Sequence, residues 1–353
     1  MLVPPATNDH DYDVPSTSDA EKLFEAQCEI ECLNKKIIDI QGKLFFLQRF
    51  ATDPNLINFY TGFKNYNTLC SVFNALQPTA ENMIRWSQMQ RHHSHIEKIK
   101  ISSIHENSLP LIDQFFMFLC RVRQGLSEAD LSVRFNVSQT SVSRIIITWA
   151  NYLYFMLGSI PIWPSRQAIN RNMPDNFKCT FPKTRVIIDC TEIKVQTPSS
   201  KVLNSEIFSN YKSHNTFKGL IGITPCGMIS FISSLYTGSI SDKEITKRSG
   251  ILDLLEPDDA VMADKGFLIH DLLKDKQALM IIPPFLGQNS QFTKEEVEHT
   301  QEIARLRIHV ERAIRRVKEY HIFDGVIPLN VAGSLNQIWT VCSLLTNFRG
   351  PIF

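Results

Sequence analysis

The sequence lacks a long apolar run, a cysteine pair with metal-ligand spacing and a marked net charge. No apolar segment approaches the roughly 20 residues that a membrane-spanning helix needs, so we expect no membrane role. The N-terminal residues carry Asp9, Asp11, Asp13 and Asp19 instead of a basic segment followed by an apolar one, so we expect no signal peptide. Because the net charge is only +1, binding to a polyanion would depend on local positive charge.

The eight cysteines are scattered and include no C-x-x-C pair. The closest two, Cys28 and Cys32, lie one helical turn apart with no nearby histidine to complete a zinc site. This pattern favours reduced thiols in a cytosolic or nuclear protein. With 43% hydrophobic and 21% charged residues, the 353-residue chain has a globular composition that allows one large core or two to three smaller units.

The first fifty residues combine an acidic tail with a heptad pattern. Residues 1–18 are rich in Pro, Asp, Ser and Thr and are predicted to be disordered. Residues 19–52 predict a coiled-coil helix that ends at Asp53-Pro54, although Gly42 weakens it. The two sets of core positions are Leu23, Ile30, Ile37 and Leu44, and Ala26, Leu33, Ile40 and Leu47. We expect a homodimer or higher oligomer through residues 23–47, and the open alternative is an amphipathic helix packed on its own domain.

Residues 53–106 predict a small helical segment followed by a basic linker. Aromatic residues between 55 and 89 recur at helical spacing and predict ordinary core packing. The stretch from 90 to 105 combines Arg and Lys with three histidines but no acidic or thiol partner, which favours a solvated linker over a metal site.

Residues 107–158 predict a helix-turn-helix DNA-binding domain. Ser127 would cap a short helix, Asn136 would form the tight turn, and Ser138 would cap a second helix that starts at Gln139. The side chains predicted to face base edges are Gln139, Thr140, Ser143 and Arg144. The alternative is a helical bundle that does not bind DNA. Residues 159–182 hold several prolines and predict a linker into the next domain.

A strand ending in a carboxylate is predicted at Asp189. The β-branched run from Val186 to Ile188 leads directly into this residue, and Ile193 and Val195 predict a second strand. A carboxylate at the end of a buried strand costs free energy unless it is paired or binds a metal. Taken alone, Asp189 is better explained as a turn cap, so a functional interpretation depends on other carboxylates that can reach it.

Two further carboxylates follow in a suitable order. Asp264 follows another short apolar strand, after a predicted hairpin and a helix capped by Ser241, where the helix dipole explains Asp242. Thr293 and Glu296 would cap a long helix that runs to about residue 320. Among the basic residues of that helix, Glu311 is the acidic residue expected to reach the two aspartates.

Three clustered carboxylates predict a metal site, because like charges oppose joint ionisation unless cations lie between them. Oxygen ligands suit Mg²⁺ or Mn²⁺, and two such ions about 3.5–4 Å apart can activate a water or a 3′-hydroxyl for phosphodiester cleavage. Nearby basic residues predicted to hold the DNA backbone are Arg312, Arg315 and Arg316. A turn cap, a loop aspartate and a surface ion pair would explain the three carboxylates singly, but their joint occurrence favours one site.

Five motifs carry a resemblance to a known family. They are Ile-Ile-Asp-Cys-Thr-Glu-Ile at Asp189, Tyr-Lys-Ser-His-Asn-Thr-Phe-Lys over 211–218, Gly-Ser-Ile-Ser-Asp-Lys-Glu-Ile over 238–245, Ala-Asp-Lys-Gly-Phe at Asp264 and Val-Glu-Arg-Ala-Ile-Arg-Arg-Val-Lys at Glu311. In this order the sequence resembles the DDE-superfamily transposases of the PIF/Harbinger group, in particular the subgroup often found behind a THAP-type zinc finger. The resemblance covers residues 185–349 and the helix-turn-helix at 111–157.

The resemblance implies an α/β fold class: an RNase H-like DDE catalytic domain over 183–349, with a mixed sheet flanked by helices. An all-α helix-turn-helix domain and a short coiled-coil helix would precede it. It also implies a catalytic and metal-binding triad of Asp189, Asp264 and Glu311, divalent metal, strand cleavage and transfer at transposon ends, and action in the nucleus.

The chain departs from the family pattern in two places. Cys190-Thr191-Glu192 stands where the wider group usually has Gly-Thr-His, which we interpret as a subgroup trait. No zinc-finger set precedes the coiled coil, so we expect a short form or a fragment of a longer architecture. Two alternatives to a working nuclease stay open: a recruited DNA-binding protein that no longer cuts, and an oligomeric scaffold acting through the coiled coil.

Overall fold

A computed structural model describes residues 19–83, 109–285 and 293–350 of the chain. The chain divides into two compact units, residues 1–49 and residues 50–353. The predicted acidic tail and the predicted basic linker lie outside the described residues. Within the described residues, no helix is long and apolar enough to cross a membrane.

The first unit contains helix α1 (Asp19–Lys43). The predicted helix is too long at its C-terminal end, because α1 stops before Leu44 and Leu47 instead of at Asp53-Pro54. Gly42, whose backbone freedom opposes helix formation, lies in the last turn of α1 and accounts for the early end. The side chains of Ile37 and Ile40 lie outside the described residues.

The second unit begins with helices that share one aromatic core. They are α2 (Pro54–Thr61), α3 (Tyr66–Ala80), α4 (Leu111–Gln124), α5 (Glu128–Arg134) and α6 (Gln139–Gly158). Asp53-Pro54 starts α2 instead of ending a helix, since the Asp53 side chain accepts hydrogen bonds from the first N–H groups and proline fits the first turn. Phe115 lies fully buried 5.2 Å from Trp149, centroid to centroid, and so joins α4 to α6.

The stretch 159–182, predicted to be a proline-rich linker, contains two short helices. These are α7 (Arg166–Asn172) and α8 (Asp175–Thr180). The guanidinium of Arg166 donates to the carbonyls of Pro182 and Lys183 at 2.9 and 3.0 Å, and it pairs with Asp259 at 3.3 Å. These bonds fix the stretch against the start of the central sheet.

The central sheet is mixed and seven-stranded. Its strands are β1 (Thr184–Lys194), β2 (Phe208–Ser209), β3 (His214–Ile223), β4 (Ile229–Ile232), β5 (Tyr236–Thr237), β6 (Ala260–Met262) and β7 (Leu279–Ile281). The main order is β2-β3-β1-β6-β7, with β4 and β5 also paired to β3. The strand β1 is antiparallel to β3 and parallel to β6, and β6 is parallel to β7. The predicted hairpin at 225–227 joins β3 to β4, where Gly227 has φ +88°.

Asp189 lies inside β1, which corrects the prediction that a strand ends there and that Ile193 belongs to another strand. The reason is that β3 pairs with β1 from Ile187 through Lys194, while β6 pairs with it only as far as Ile187. The carboxylate therefore lies where β1 loses its parallel neighbour but keeps its antiparallel one.

Helices flank the sheet. They are α9 (Lys201–Ile207), α10 (Asp242–Arg248), α11 (His270–Lys274), α12 (Lys294–Lys318) and α13 (Ala332–Thr346). The predicted cap of α12 by Thr293 and Glu296 is present in full, whereas at α10 Ser241 accepts from the Glu244 N–H and the Glu244 side chain pairs with Arg248. This mixed sheet with flanking helices, preceded by a helical region, confirms the expected RNase H-like α/β class.

Candidate active site

The end of β6 positions two of the three predicted carboxylates. Side chains alternate along a strand, so Asp189 lies on the same face of β1 as Ile187. Helix α12, which carries Glu311, packs against β1. Asp264 follows β6 by two residues. The strands β1 and β6 run parallel, so their C-terminal ends lie at the same edge of the sheet. Asp189 and Asp264 both lie just beyond the last pair of residues that joins these strands.

Glu311 completes the arrangement from α12. The structure brings Asp189, Asp264 and Glu311 to the lining of one cleft of about 590 Å³. Four consecutive residues of β1, from Asp189 to Glu192, line this cleft. This part of β1 lies beyond the last residue that pairs with β6, so β6 does not cover it.

Arg307 links two of the carboxylates. Its Nη1 lies 3.2 Å from Oδ1 of Asp264, and its Nη2 lies 3.2 Å from Oε1 of Glu311. The Arg307 side chain is 14% exposed, while the two carboxylates are about half exposed. One planar guanidinium can satisfy both acceptors because its donors form a fixed fork.

Asp189 differs from the other two carboxylates in its burial. Its Oδ1 accepts a hydrogen bond from the backbone N–H of Cys190 at 2.8 Å. Burial raises the pKa of the Asp189 carboxyl to about 6, and Arg307 opposes that rise, whereas Glu311 and Asp264 add to it. The Asp189 carboxylate is thus incompletely compensated by the protein's own charges.

The donor set fits a hard divalent cation. Three carboxylates that line one cleft offer the oxygen ligands that Mg²⁺ and Mn²⁺ prefer. In the arrangement seen here, no three histidine, cysteine, aspartate or glutamate side chains of the described residues lie close enough together to hold an ion. Arg307 contacts one oxygen of Asp264 and one of Glu311, so a cation would compete with its guanidinium for these carboxylates.

Sequence reasoning missed an ion pair in the same cleft. Lys218 on β3 lies 2.7 Å from Oδ1 of Asp242, the first residue of α10, and both residues line the cleft. Desolvation by burial and the nearby Asp242 raise the pKa of the Cys190 thiol far above its usual range. The helix dipole alone accounts for an acidic residue in the first turn of α10, so Asp242 does not indicate a partner at the level of sequence. A polar Lys218 within an apolar strand was the available signal.

The predicted recognition helix is present as α6. The N-cap Ser138 accepts from the Ser141 N–H, and Asn136 adopts φ +51° in the turn before it. Of the four residues predicted to face DNA, Ser143 is half-buried and the others are exposed: Gln139, Thr140 and Arg144. Val142 and Trp149 are fully buried, as the predicted apolar face requires, while Ile145 is only half-buried.

The three arginines predicted to hold the DNA backbone differ in their surroundings. Arg312 and Arg315 are exposed on α12. Arg316 is half-buried, and its Nη1 donates to the carbonyl of Gly350 at 2.7 Å. The C-terminal residues thus already engage Arg316, which is a structural role that the sequence alone did not indicate.

The mixed sheet and its flanking helices place the carboxylate cleft in an RNase H-like α/β domain. Residues 188–347 match the family described as DDE superfamily endonuclease, and residues 107–159 match the helix-turn-helix of DDE superfamily endonucleases. None of the curated proteins matches the chain. The chain carries a DDE superfamily endonuclease domain together with the helix-turn-helix of that superfamily, and the two domains imply DNA as a partner.

Proposed function

We propose that this chain is a divalent-metal-dependent DNA endonuclease that cleaves and joins phosphodiester bonds as a transposase of the PIF/Harbinger type. The observation that carries the proposal is that Asp189, Asp264 and Glu311 all line one cleft, although 47 to 122 residues of sequence separate each pair. The DDE family match supports the same chemistry. Its action would take place in the nucleus, where its DNA substrate lies.

Asp189, Asp264 and Glu311 would hold Mg²⁺ or Mn²⁺ ions. Such ions supply an activated water or 3′-hydroxyl and stabilise the leaving oxygen in a two-metal mechanism. Asp189 must be ionised to act as a ligand, so its raised pKa makes binding weaker in mildly acidic solution. Arg307, once released from Asp264 and Glu311, is close enough to the cleft to pair with a phosphate oxygen.

The helix-turn-helix and α12 would supply the contacts to duplex DNA. Gln139, Thr140 and Arg144 are exposed at the start of α6, where a recognition helix meets base edges. Arg312 and Arg315 are exposed on the helix that carries Glu311, so they would hold the backbone next to the cleft. Helix α1 would join protomers through its apolar positions.

The decisive experiment is nicking of supercoiled plasmid with Mg²⁺ or Mn²⁺ by the wild type and by Asp189→Asn. We expect the wild type to nick the plasmid only with metal. Asp189→Asn should lose at least about a thousandfold in rate, because a neutral amide replaces one of the metal-ligating carboxylates. Asp253→Asn is the matched control, since this carboxylate is 79% exposed and pairs with Lys276 outside the cleft.

Two results would contradict the proposal. Nicking that persists in Asp189→Asn would place the chemistry elsewhere. A wild type that binds plasmid but never nicks it, with either metal, would support a recruited DNA-binding protein instead.

A further inference from the structure

The cleft has a second group of lining residues that the metal chemistry does not use. It consists of Tyr211, Lys212 and Lys318, which we call the Tyr211 corner. Tyr211 and Lys212 lie in the turn between β2 and β3, where the Lys212 N–H donates to Oγ of Ser209 at 3.3 Å. Ser213 closes this turn with φ +55°. The turn therefore presents two neighbouring side chains to the cleft.

Lys318 reaches the corner from α12. It is the last residue of that helix and follows Glu311 by seven residues, or about two turns, so both side chains lie on one face. The side chain of Lys318 is exposed, but desolvation by the surrounding protein lowers its pKa, and Lys212 lowers it further. Glu192, Asp189 and Lys194 also act on Lys318, the two carboxylates raising its pKa and the lysine lowering it.

Tyr211 is an exposed aromatic residue at a functional cleft. Its side chain is 84% exposed, and Nζ of Lys212 lies 4.4 Å from its ring centroid. A cation–π contact at an exposed site is weak, so Lys212 can exchange it for an anion in the cleft that Lys318 also lines. A cleft lined by two lysines and one exposed aromatic ring is a favourable setting for an anion attached to a flat, stacking group.

We propose that the Tyr211 corner is a subsite for one unpaired nucleotide next to the phosphodiester that the carboxylates act on. The base would stack on the ring of Tyr211, and its phosphate would lie between the ammonium groups of Lys212 and Lys318. Base–aromatic stacking tolerates every base, while lysines recognise the backbone charge, so the subsite would be insensitive to sequence. This inference rests on the proposed function in one respect, the position of the nucleotide beside the scissile bond.

The stacking geometry selects unpaired DNA over intact duplex. Inside a duplex both faces of a base are covered by its neighbours, so the ring of Tyr211 can stack only on a base that has left the stack. The cleft volume of about 590 Å³ lies in the range of sites that enclose small ligands, which is compatible with one extruded nucleotide.

The test is binding without metal, measured by fluorescence anisotropy in EDTA so that cleavage plays no part. The probes are a labelled single-stranded oligothymidylate and a blunt duplex of the same length. We expect Tyr211→Ala to weaken binding of the single strand about fivefold or more and to change duplex binding less than twofold. Tyr211→Phe keeps the aromatic face and should retain wild-type affinity.

Replacing the lysines should change how single-strand binding depends on salt. Lys212→Ala and Lys318→Ala should each reduce the slope of log affinity against log salt for the single strand by about 0.7. Lys178→Ala is the matched control, because this exposed lysine pairs with Asp175 on α8 and does not line the cleft. It should weaken single-strand binding less than either corner variant.

The outcomes separate this subsite from the proposed nuclease. If Tyr211→Ala binds the single strand like the wild type, or weakens duplex binding equally, the subsite is overturned even when plasmid nicking is intact. If the expected losses occur in a protein that never nicks plasmid, the subsite stands and the nuclease proposal fails. If the wild type does not bind the single strand at all, the subsite is overturned as well.

Discussion

At the scale of single residues, Asp189 differs from a carboxylate that only stabilises the fold. Burial raises the pKa of its carboxyl to about 6, which means that the ionised form is disfavoured in the folded protein. The backbone N–H of Cys190 and the guanidinium of Arg307 offset only part of that cost. A structural carboxylate would be expected to pair directly with a cationic side chain, as Asp242 does with Lys218 at 2.7 Å.

Replacing Asp189 by Asn should change how stability depends on pH. Because the pKa of Asp189 is higher in the folded than in the unfolded chain, the folded state binds more protons between about pH 4 and 6. Stability contributed by this group is therefore lost as the pH rises through that window, by at most on the order of 3 kcal/mol. In EDTA, Asp189→Asn should be more stable than the wild type at pH 7 and more nearly equal to it at pH 4.

Chemical denaturation at several pH values measures this difference. Asp253→Asn serves again as the control, since its exposed side chain should show no such trend. If the stability difference between Asp189→Asn and the wild type is the same at pH 4 and pH 7, burial does not perturb Asp189 as described.

The three carboxylates could be picked out from the sequence because the residues next to each of them form a recognisable local pattern. Asp189 and Asp264 follow apolar runs, and Glu311 lies among arginines on a helix with clear caps. The pairing of Lys218 with Asp242 and of Arg307 with two carboxylates could not be predicted. Both depend on how β3, α10 and α12 approach β1, and that long-range geometry leaves no periodic signal in the sequence.

At the scale of elements, strand limits were harder to predict than helix caps. Ser127, Ser138 and Thr293 cap helices as expected, because a cap is a contact within four residues. The length of β1 depends instead on β3, which continues to pair with it beyond Asp189. Asp53-Pro54 illustrates the ambiguity of a short signal, since the same dipeptide can end one helix or begin the next.

The second helix of the helix-turn-helix should read DNA sequence through Arg144. From a pool of random duplexes, the wild type should select a preferred sequence, and Arg144→Ala should relax that preference at one position. The expected loss of discrimination there is about 1–3 kcal/mol, as for one bidentate contact to a base. Competitive binding followed by sequencing of the bound pool measures it.

Arg171→Ala is the matched control for that selection. Arg171 is an exposed arginine on α7, outside the helix-turn-helix, and its removal should leave the selected sequence unchanged. If Arg144→Ala and the wild type select the same sequence with equal strength, then the exposed start of α6 is not the reading surface.

At the scale of the whole molecule, the exposed apolar residues of α1 bear on how copies of the chain associate. In α1 the apolar heptad residues Leu23, Ile30 and Leu33 are 62%, 57% and 48% exposed. Burying such side chains against a second helix is worth about 1.5–3 kcal/mol each, which favours pairing of α1 with α1 of another copy.

Charge introduced into the apolar positions of α1 should separate the copies. We expect the wild type to sediment as a dimer or larger species, and Ile30→Asp with Leu33→Asp to sediment as a monomer, because buried unpaired carboxylates oppose association. Lys35→Asp introduces the same charge at a heptad position that faces away from the partner, so it should preserve the wild-type oligomer. Analytical ultracentrifugation distinguishes these cases. A wild type that is monomeric over the accessible concentration range would instead favour an α1 that packs on its own chain.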